Sequence, residues 1–230
     1  MSSKRHSILP PVSSSGPKPP VHLSSSLTIA DSAVLTGTHH ISIHGDSVVH
    51  PRARFHSLTG RVTVGRRCII HERATIGASP HSSSSSSRPT SVTSPLGTPL
   101  SPSSAAAVPG GAGGGGGAEG HAPSTGVTLG DYVTVEVGAT IEAGGTVIGE
   151  GTVVGVGARV GAGAVVGKHC TLTPQSVVPP GEVVPDFTVI LANGMRRTDR
   201  RGLADLKNKA MARQTEVLRK LIQSNPTKFQ

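Results

Sequence analysis

The chain has 230 residues, a formal net charge of +9 at pH 7, 35% hydrophobic and only 2% aromatic residues, with 30 Gly, 18 Pro and no Trp. Any core must therefore be built from Val, Ile, Leu and Ala, which excludes the usual ring-filled globular interior. No run is long and apolar enough to span a bilayer; the two cysteines, Cys68 and Cys170, and a start without an apolar signal core point to a reducing, cytosolic setting.

Residues 1–26 are rich in Ser and Pro and read as a disordered tail. Residues 27–78 form a first segment in which large apolar residues recur at Ile29 and Leu35 and, after slips, at Ile43, Val49, Phe55, Val64, Ile70 and Ile76. Its histidines, His39, His40, His44, His50 and His56, show no carboxylate-oriented pair and no metal-ligand spacing, so they read as exposed polar residues. Residues 79–125, dominated by Ser, Gly, Pro and Ala, have almost nothing to bury and read as a flexible, disordered insertion. Within it Ser94-Pro95, Thr98-Pro99 and Ser101-Pro102 are short proline-directed phosphorylation patterns.

Residues 126–194 carry the strongest signal. Leu129, Val135 and Ile141 lie six apart; one extra residue near Val147 shifts the phase, and Ile148, Val154, Val160, Val166, Leu172, Val178, Val184 and Ile190 continue at the same interval. Gly149, Gly155, Gly161 and Gly167 directly follow the aliphatic residue, and a small residue lies four places after it at Thr152, Ala158, Ala164, Cys170 and Ser176. The G-x-G-x-x-x-G matches at Gly155-Gly157-Gly161 and Gly161-Gly163-Gly167 are products of this repeat. A phosphate loop would not recur, and it would need a Lys-Ser/Thr pair between a strand and a helix.

A spacing of six fits neither a helix nor a long alternating strand. It fits a short strand followed by a corner. Three such sides close a triangle, about eighteen residues make one coil, and coils stack about 4.8 Å apart, so six or seven coils form a rod of about 30 Å. The aliphatic residue points inward and the small residue fills a narrow corner. The glycine after the aliphatic residue is expected to allow a strained turn.

From Met195 onward, Lys and Arg outnumber Asp199, Asp205 and Glu216 by ten to three, so most of the positive excess lies in a basic tail, 195–230. Leu203, Leu206, Ala210, Val217 and Leu221 share one helical face, with Met211, Leu218 and Ile222 on its flank. The pattern predicts an amphipathic helix over about 203–223, supported by Asp205–Lys209 and Glu216–Lys220 pairs and ended before Pro226. The leucines are expected to bury against the prism, with docking to a partner as the alternative. Without aromatic interleaving or a nucleic-acid motif, the basic excess reads as a solvated helix face.

Two catalytic uses of such a prism need histidine in defined places. A γ-type carbonic anhydrase holds zinc with three imidazoles between subunits of a trimer. Matching "LGDYVTVEVGATIEA" and "VGRRCIIHERATIG" to that family's motifs puts Val137, Glu142 and Gly77 at the ligand positions, and His71 is off register. A hexapeptide acyltransferase needs a general-base histidine. His81 and His121 lie in the insertion, too loosely held to position a base, and His169 has no acid partner in sequence reach. Cys68 and Cys170 occupy the small inward position and read as buried and inert. No catalytic, cofactor-binding or metal-binding residue is assigned, and the chain is expected not to be an enzyme.

The repeat resembles that of the left-handed parallel β-helices. The hand rests on this resemblance, since ordinary crossovers are right-handed. The expected fold is an all-β solenoid, a left-handed parallel β-helix of hexapeptide repeats, with a C-terminal α-helix packed alongside. Gly45-Asp46, Val49-His50-Pro51-Arg52-Ala53-Arg54, Glu136-Val137-Gly138 and the stretch "CTLTPQSVVPPGEVVPDFTVILANGMRRTD" before the helix together resemble the dynactin subunit 6 family, over about 27–78 and 126–222. "VVPPGEVVPDFTV" is also similar to the sibling subunit 5 family, while the long insertion and the basic tail depart from the pattern. The resemblance implies a non-catalytic subunit of the dynactin pointed-end complex, in the cytoplasm and cytoskeleton, serving dynein-driven cargo transport on microtubules. It implies subunit 5, the pointed-end actin-related protein and subunit 4 as partners, with no nucleic acid, no membrane insertion and no homotrimer. Arg196, Arg197, Leu203 and Leu206, at the turn into the helix, are the expected partner contacts. The rival is an enzyme, a diverged γ-carbonic anhydrase or an acyltransferase, whose sites form between identical neighbours.

Overall fold

Strands of two to four residues, joined by tight corners, wind into a three-sided prism. The computed structural model describes residues 18–80 and 125–229. Its three walls hold seven, eight and six strands, so six full coils are followed by two sides of a seventh. Every strand pairs in parallel with the one a coil away, except Arg196–Thr198, which lies antiparallel to Thr188–Ile190 and closes one wall. This last strand falls beyond the expected end of the prism at residue 194.

The hexapeptide phase becomes the core. Ile43, Val64, Leu129, Ile148, Val166 and Val184 stack on the first wall. On the second wall Ile29, Val49, Ile70, Val135, Val154, Leu172 and Ile190 do so. Leu35, Phe55, Ile76, Ile141, Val160 and Val178 line the third. These side chains converge on one buried column. The small residues Thr152, Ala158, Ala164, Cys170 and Ser176 are fully buried at its corners.

Two separate needs place the glycines. Left-handed backbone occurs three residues after the aliphatic position, at Gly151 (φ +66°), Gly157 (+63°) and Gly163 (+70°). In other coils His169, Gln175, Phe187, Asp46, Arg67 and Tyr132 adopt the same conformation there. The glycine directly after the aliphatic residue has a different task, which corrects the expectation of a strained turn. A Cβ on Gly155 would stand 2.5 Å from the Leu172 carbonyl oxygen, and one on Gly161 2.5 Å from the Pro180 nitrogen. These glycines admit the backbone of the next coil.

The expectations of disorder and phosphorylation for the insertion fall outside the described residues, as does the reading of residues 1–17. On either side of the insertion the stacking continues: Val127–Leu129 pairs with Val62–Val64, and Thr140–Glu142 with Thr75–Ala78. Val21–Leu23 forms a strand inside the stretch read as a disordered tail, since Val21 and Leu23 pair with Ile41 and Ile43. Flanking Pro and Ser conceal that short alternation in the sequence.

The helix, Ala204–Leu221, has Asp205 in its first turn and Arg219 and Lys220 in its last, in accord with its macrodipole. It runs along the second wall from the last coil back toward the first. Thr134 Oγ1 donates to Met211 Sδ (3.6 Å), Arg219 Nη1 to Asp46 Oδ1 (2.9 Å), and Ile29 N to Ser224 Oγ (3.0 Å). Beneath it the outward-pointing Thr28, Val48, Ile69 and Thr134 are buried. Beyond the helix Asn225 N donates to Ile29 O (3.0 Å), and Phe229 packs against the core. The helix docks about a third of a turn from the centre of the face expected, on the flank that holds Met211, Leu218 and Ile222. Met211 and Thr215 are buried, whereas Leu206, Val217 and Leu221 are 62%, 56% and 73% exposed. Ala204, Met211, Ala212, Thr215, Leu218 and Ile222 are buried or half-buried, and Leu206, Val217 and Leu221 are turned outward.

The column sets the stability. Ile141→Ala, at a fully buried position, should cost about 2–5 kcal/mol in urea unfolding. Gly77→Ala should also destabilise, because Gly77 has φ +79° and a Cβ there would overlap the His56 carbonyl oxygen. A shift in midpoint with an unchanged m-value is the expected signature for both.

Candidate functional site

The corner between the second and third walls holds a histidine pair that the linear sequence conceals. His50 follows Val48–Val49 and His71 follows Ile69–Ile70, so the two occupy the same phase one coil apart. His50 N donates to Ile70 O (2.9 Å) and His71 N to Val135 O (2.8 Å). The rings stack with centroids 4.7 Å apart and planes 26° apart. His50 Nε2 is buried and has no hydrogen-bond partner among the described residues. Burial holds both imidazoles below the ordinary histidine range, His71 adding to the effect on His50 and Glu72 opposing it on both. Two neutral rings at neutral pH follow, one with a nitrogen that can accept a proton. Glu72 faces Arg52 at 3.7 Å.

His39, His40 and His44 are exposed, as the sequence suggests, but His50, His56 and His71 are half-buried. His56 Nδ1 lies 2.9 Å from Thr36 Oγ1, and burial, then Arg54, lowers its pKa. At the positions matched to anhydrase ligands, Val137 is exposed, Gly77 sits in a strand, and Glu142 Oε2 accepts a hydrogen bond from Ala162 N (3.2 Å). Among the described residues no three His, Cys, Asp or Glu side chains are grouped so as to hold an ion. Burial pushes the Cys68 thiol up to about 12 and raises that of Cys170, which suits buried, unreactive side chains.

A second cluster lies at the corner between the first and second walls, under the helix. Asp46, Arg67 and Tyr132 all follow an inward aliphatic residue by three, so their side chains share one edge. Asp46 accepts from Arg219 (2.9 Å) and faces Arg67 Nε at 3.9 Å. Arg67 Nη1 donates to Tyr132 Oη (2.7 Å). Asp46, Arg67, Arg213, Glu216 and Arg219 line an open groove of about 300 Å³. Sequence reasoning missed this cluster, although the phase of three was available to find it. Farther along the same edge, His169 stacks on Phe187 with centroids 5.3 Å apart, and its Nδ1 and Asn208 Oδ1 are buried without partners among the described residues.

The four residues expected to contact partners are not gathered into one site. Arg196 is engaged within the chain, forming an ion pair with Glu182 and donating to Gly194 O (3.0 Å). Arg197 is exposed in the closing strand. Leu203 occupies the helix N-cap, and Leu206 projects outward one turn on. Between them Asp199 binds Arg201 (2.8 Å) and Lys207 (3.4 Å). Hydrogen bonds from Arg201 hold its carboxyl well below the usual carboxylate range.

No protein-family model and no curated protein matches the chain. Among solved structures, it is similar to a hexapeptide transferase family protein from Anaplasma phagocytophilum, with TM-score 0.59 and 14% identity over 88% of this chain and 91% of that one. It is also similar to a putative acetyltransferase from Bacillus cereus, with TM-score 0.50 and 17% identity over 88% and 92% of the two chains. At such identities the likeness establishes the fold: a left-handed parallel β-helix of hexapeptide repeats with one C-terminal helix. It also corrects the expectation that the chain is not an enzyme. The architecture is shared with proteins named as transferases, and a role without catalysis no longer follows from it.

Because His50 and His71 titrate below the ordinary 6.5 in the folded chain, the folded state binds fewer protons than the unfolded state as pH falls through that value. Their contribution to stability is present above about pH 6.5 and declines below it. Urea midpoints should fall on acidification from about pH 7.5 to about pH 5.5, and less so in the His50→Gln/His71→Gln variant.

Proposed function

We propose that the chain is an assembly subunit of the dynactin pointed-end kind, joining subunit 5, the pointed-end actin-related protein and subunit 4 in dynein-driven transport. The carrying observation is the outward display of aliphatic side chains: Leu206, Val217 and Leu221 on the helix, and Val165, Val177 and Val183 on the walls of the later coils. Exposed apolar groups concentrated on regular faces suit protein contact. The choice of complex rests on the ordered motifs from Gly45-Asp46 to the closing strand. Several of these residues link one part of the fold to another: Asp46 ties a corner to the helix, and Glu136 Oε2 accepts from Val156 N (3.1 Å).

Acyl transfer is the second reading, favoured by the transferase names of the fold neighbours and by the unpartnered Nε2 of His50 beside His71. A neutral imidazole there suits a general base. Affinity purification of the tagged chain from cells that contain dynactin, together with an acetyl-CoA turnover assay on the pure chain, decides between them. Co-purification of subunits 4 and 5 with the actin-related protein, unchanged in a His50→Ala variant, is the expected result. Thiol release from acetyl-CoA that is lost in His50→Ala, with no dynactin subunit recovered, would transfer the conclusion to acyl transfer.

A further inference from the structure

The helix carries two apolar faces about a third of a turn apart, and the prism uses only one. At about 100° per residue, Ala204, Met211, Thr215 and Ile222 cluster about the pole that meets the second wall. Leu206, Ala210, Val217 and Leu221 form an exposed ridge about a third of a turn away, with Leu203 at its N-terminal end. Arg213, Lys220 and Lys209 form a row along one flank of that ridge. Lys220 is paired with Glu216 at 3.6 Å, and Arg219, nearer the prism, is held by Asp46. Lys209 and Arg213 have no ion-pair partner among the described residues. The surface is therefore an apolar ridge bordered by unneutralised positive charge.

We propose that this ridge docks an acidic amphipathic helix of another protein, one with an apolar stripe flanked by a row of Asp or Glu. Charge selects this occupant over the others. Two copies of the ridge packed antiparallel would bring Arg213, at its midpoint, against its own counterpart, so self-pairing is opposed by like charges. The chain's own undescribed segments are no better matched: residues 1–17 contain Lys4 and Arg5 and no acid, and residues 81–124 contain only Arg88 and Glu119 as charged side chains. Neither has an apolar heptad to pair with the ridge. An acidic helix instead places carboxylates opposite Lys209, Arg213 and Lys220 while its apolar stripe covers Leu206, Val217 and Leu221. One helix face is a small interface, which fits reversible docking of micromolar strength. The inference stands whether the prism assembles with dynactin or transfers acyl groups.

The test is a titration of the full chain with two fluorescent designed peptides. Each has three heptads with Leu at the apolar positions; one carries Glu on the flanks and the other Lys. The Glu peptide should bind at least about tenfold more tightly than the Lys peptide, and its affinity should fall in about 0.5 M salt. Leu206→Asp/Val217→Asp should abolish binding, and Arg213→Glu should shift preference toward the Lys peptide. All three positions are exposed, so circular dichroism should be unchanged. Equal binding of both peptides, binding of neither, or Glu-peptide affinity unaffected by the double substitution would each overturn the proposal. So would sedimentation showing self-association that the double substitution removes, or docking onto phosphatidylserine vesicles in preference to the Glu peptide.

Discussion

Everything in this molecule depends on an aliphatic side chain returning to the same inward position every six residues. Each short strand contributes few backbone hydrogen bonds and one principal core side chain, too little to persist alone. Stacking resolves this, because each coil covers the inward groups of its neighbours and completes their parallel ladders. The scarcity of aromatic residues follows: the column accepts Val, Ile and Leu throughout and encloses a ring at Phe55. The glycines serve the same end, one set by admitting the neighbouring coil and the other by turning the corner.

The period, the coil plan and a terminal helix were legible in the linear sequence because each repeats or has a characteristic spacing. What escaped it are relations that exist only between coils. His50 and His71 are separated by an irregular phase in the first segment, and nothing local announces that their rings stack. The Asp46, Arg67, Tyr132 and Arg219 cluster joins three coils and the helix, with the insertion lying between two of its members. The orientation of the helix was misread for a physical reason. Apolar residues cover about half of its circumference, so their spacing alone does not select which of them meets the wall. The total hydrophobicity of the face does not decide it. The strand at Arg196–Thr198 was hidden because it is polar and enters antiparallel.

The two proposed uses draw on different features of the molecule. Its walls and its helix present aliphatic groups to solvent, which suits assembly. Its second corner holds neutral, half-buried imidazoles with an unclaimed nitrogen, in a fold shared with proteins named as transferases. These features lie on separate parts of the surface. The paired histidines belong to the second and third coils, whereas the exposed valines belong to the later ones.

The path of the final segment bears on how the fold is completed during synthesis. Ser224 and Asn225 bond to Ile29, and Phe229 packs against the column. The first coil is thus finished by residues that lie 195 positions further along the chain. Until that segment has been made, one margin of the coil lacks its cover, exposed to whatever strand or chaperone is nearby. A stack that can otherwise grow coil by coil becomes, in its mature form, a loop fastened at both ends.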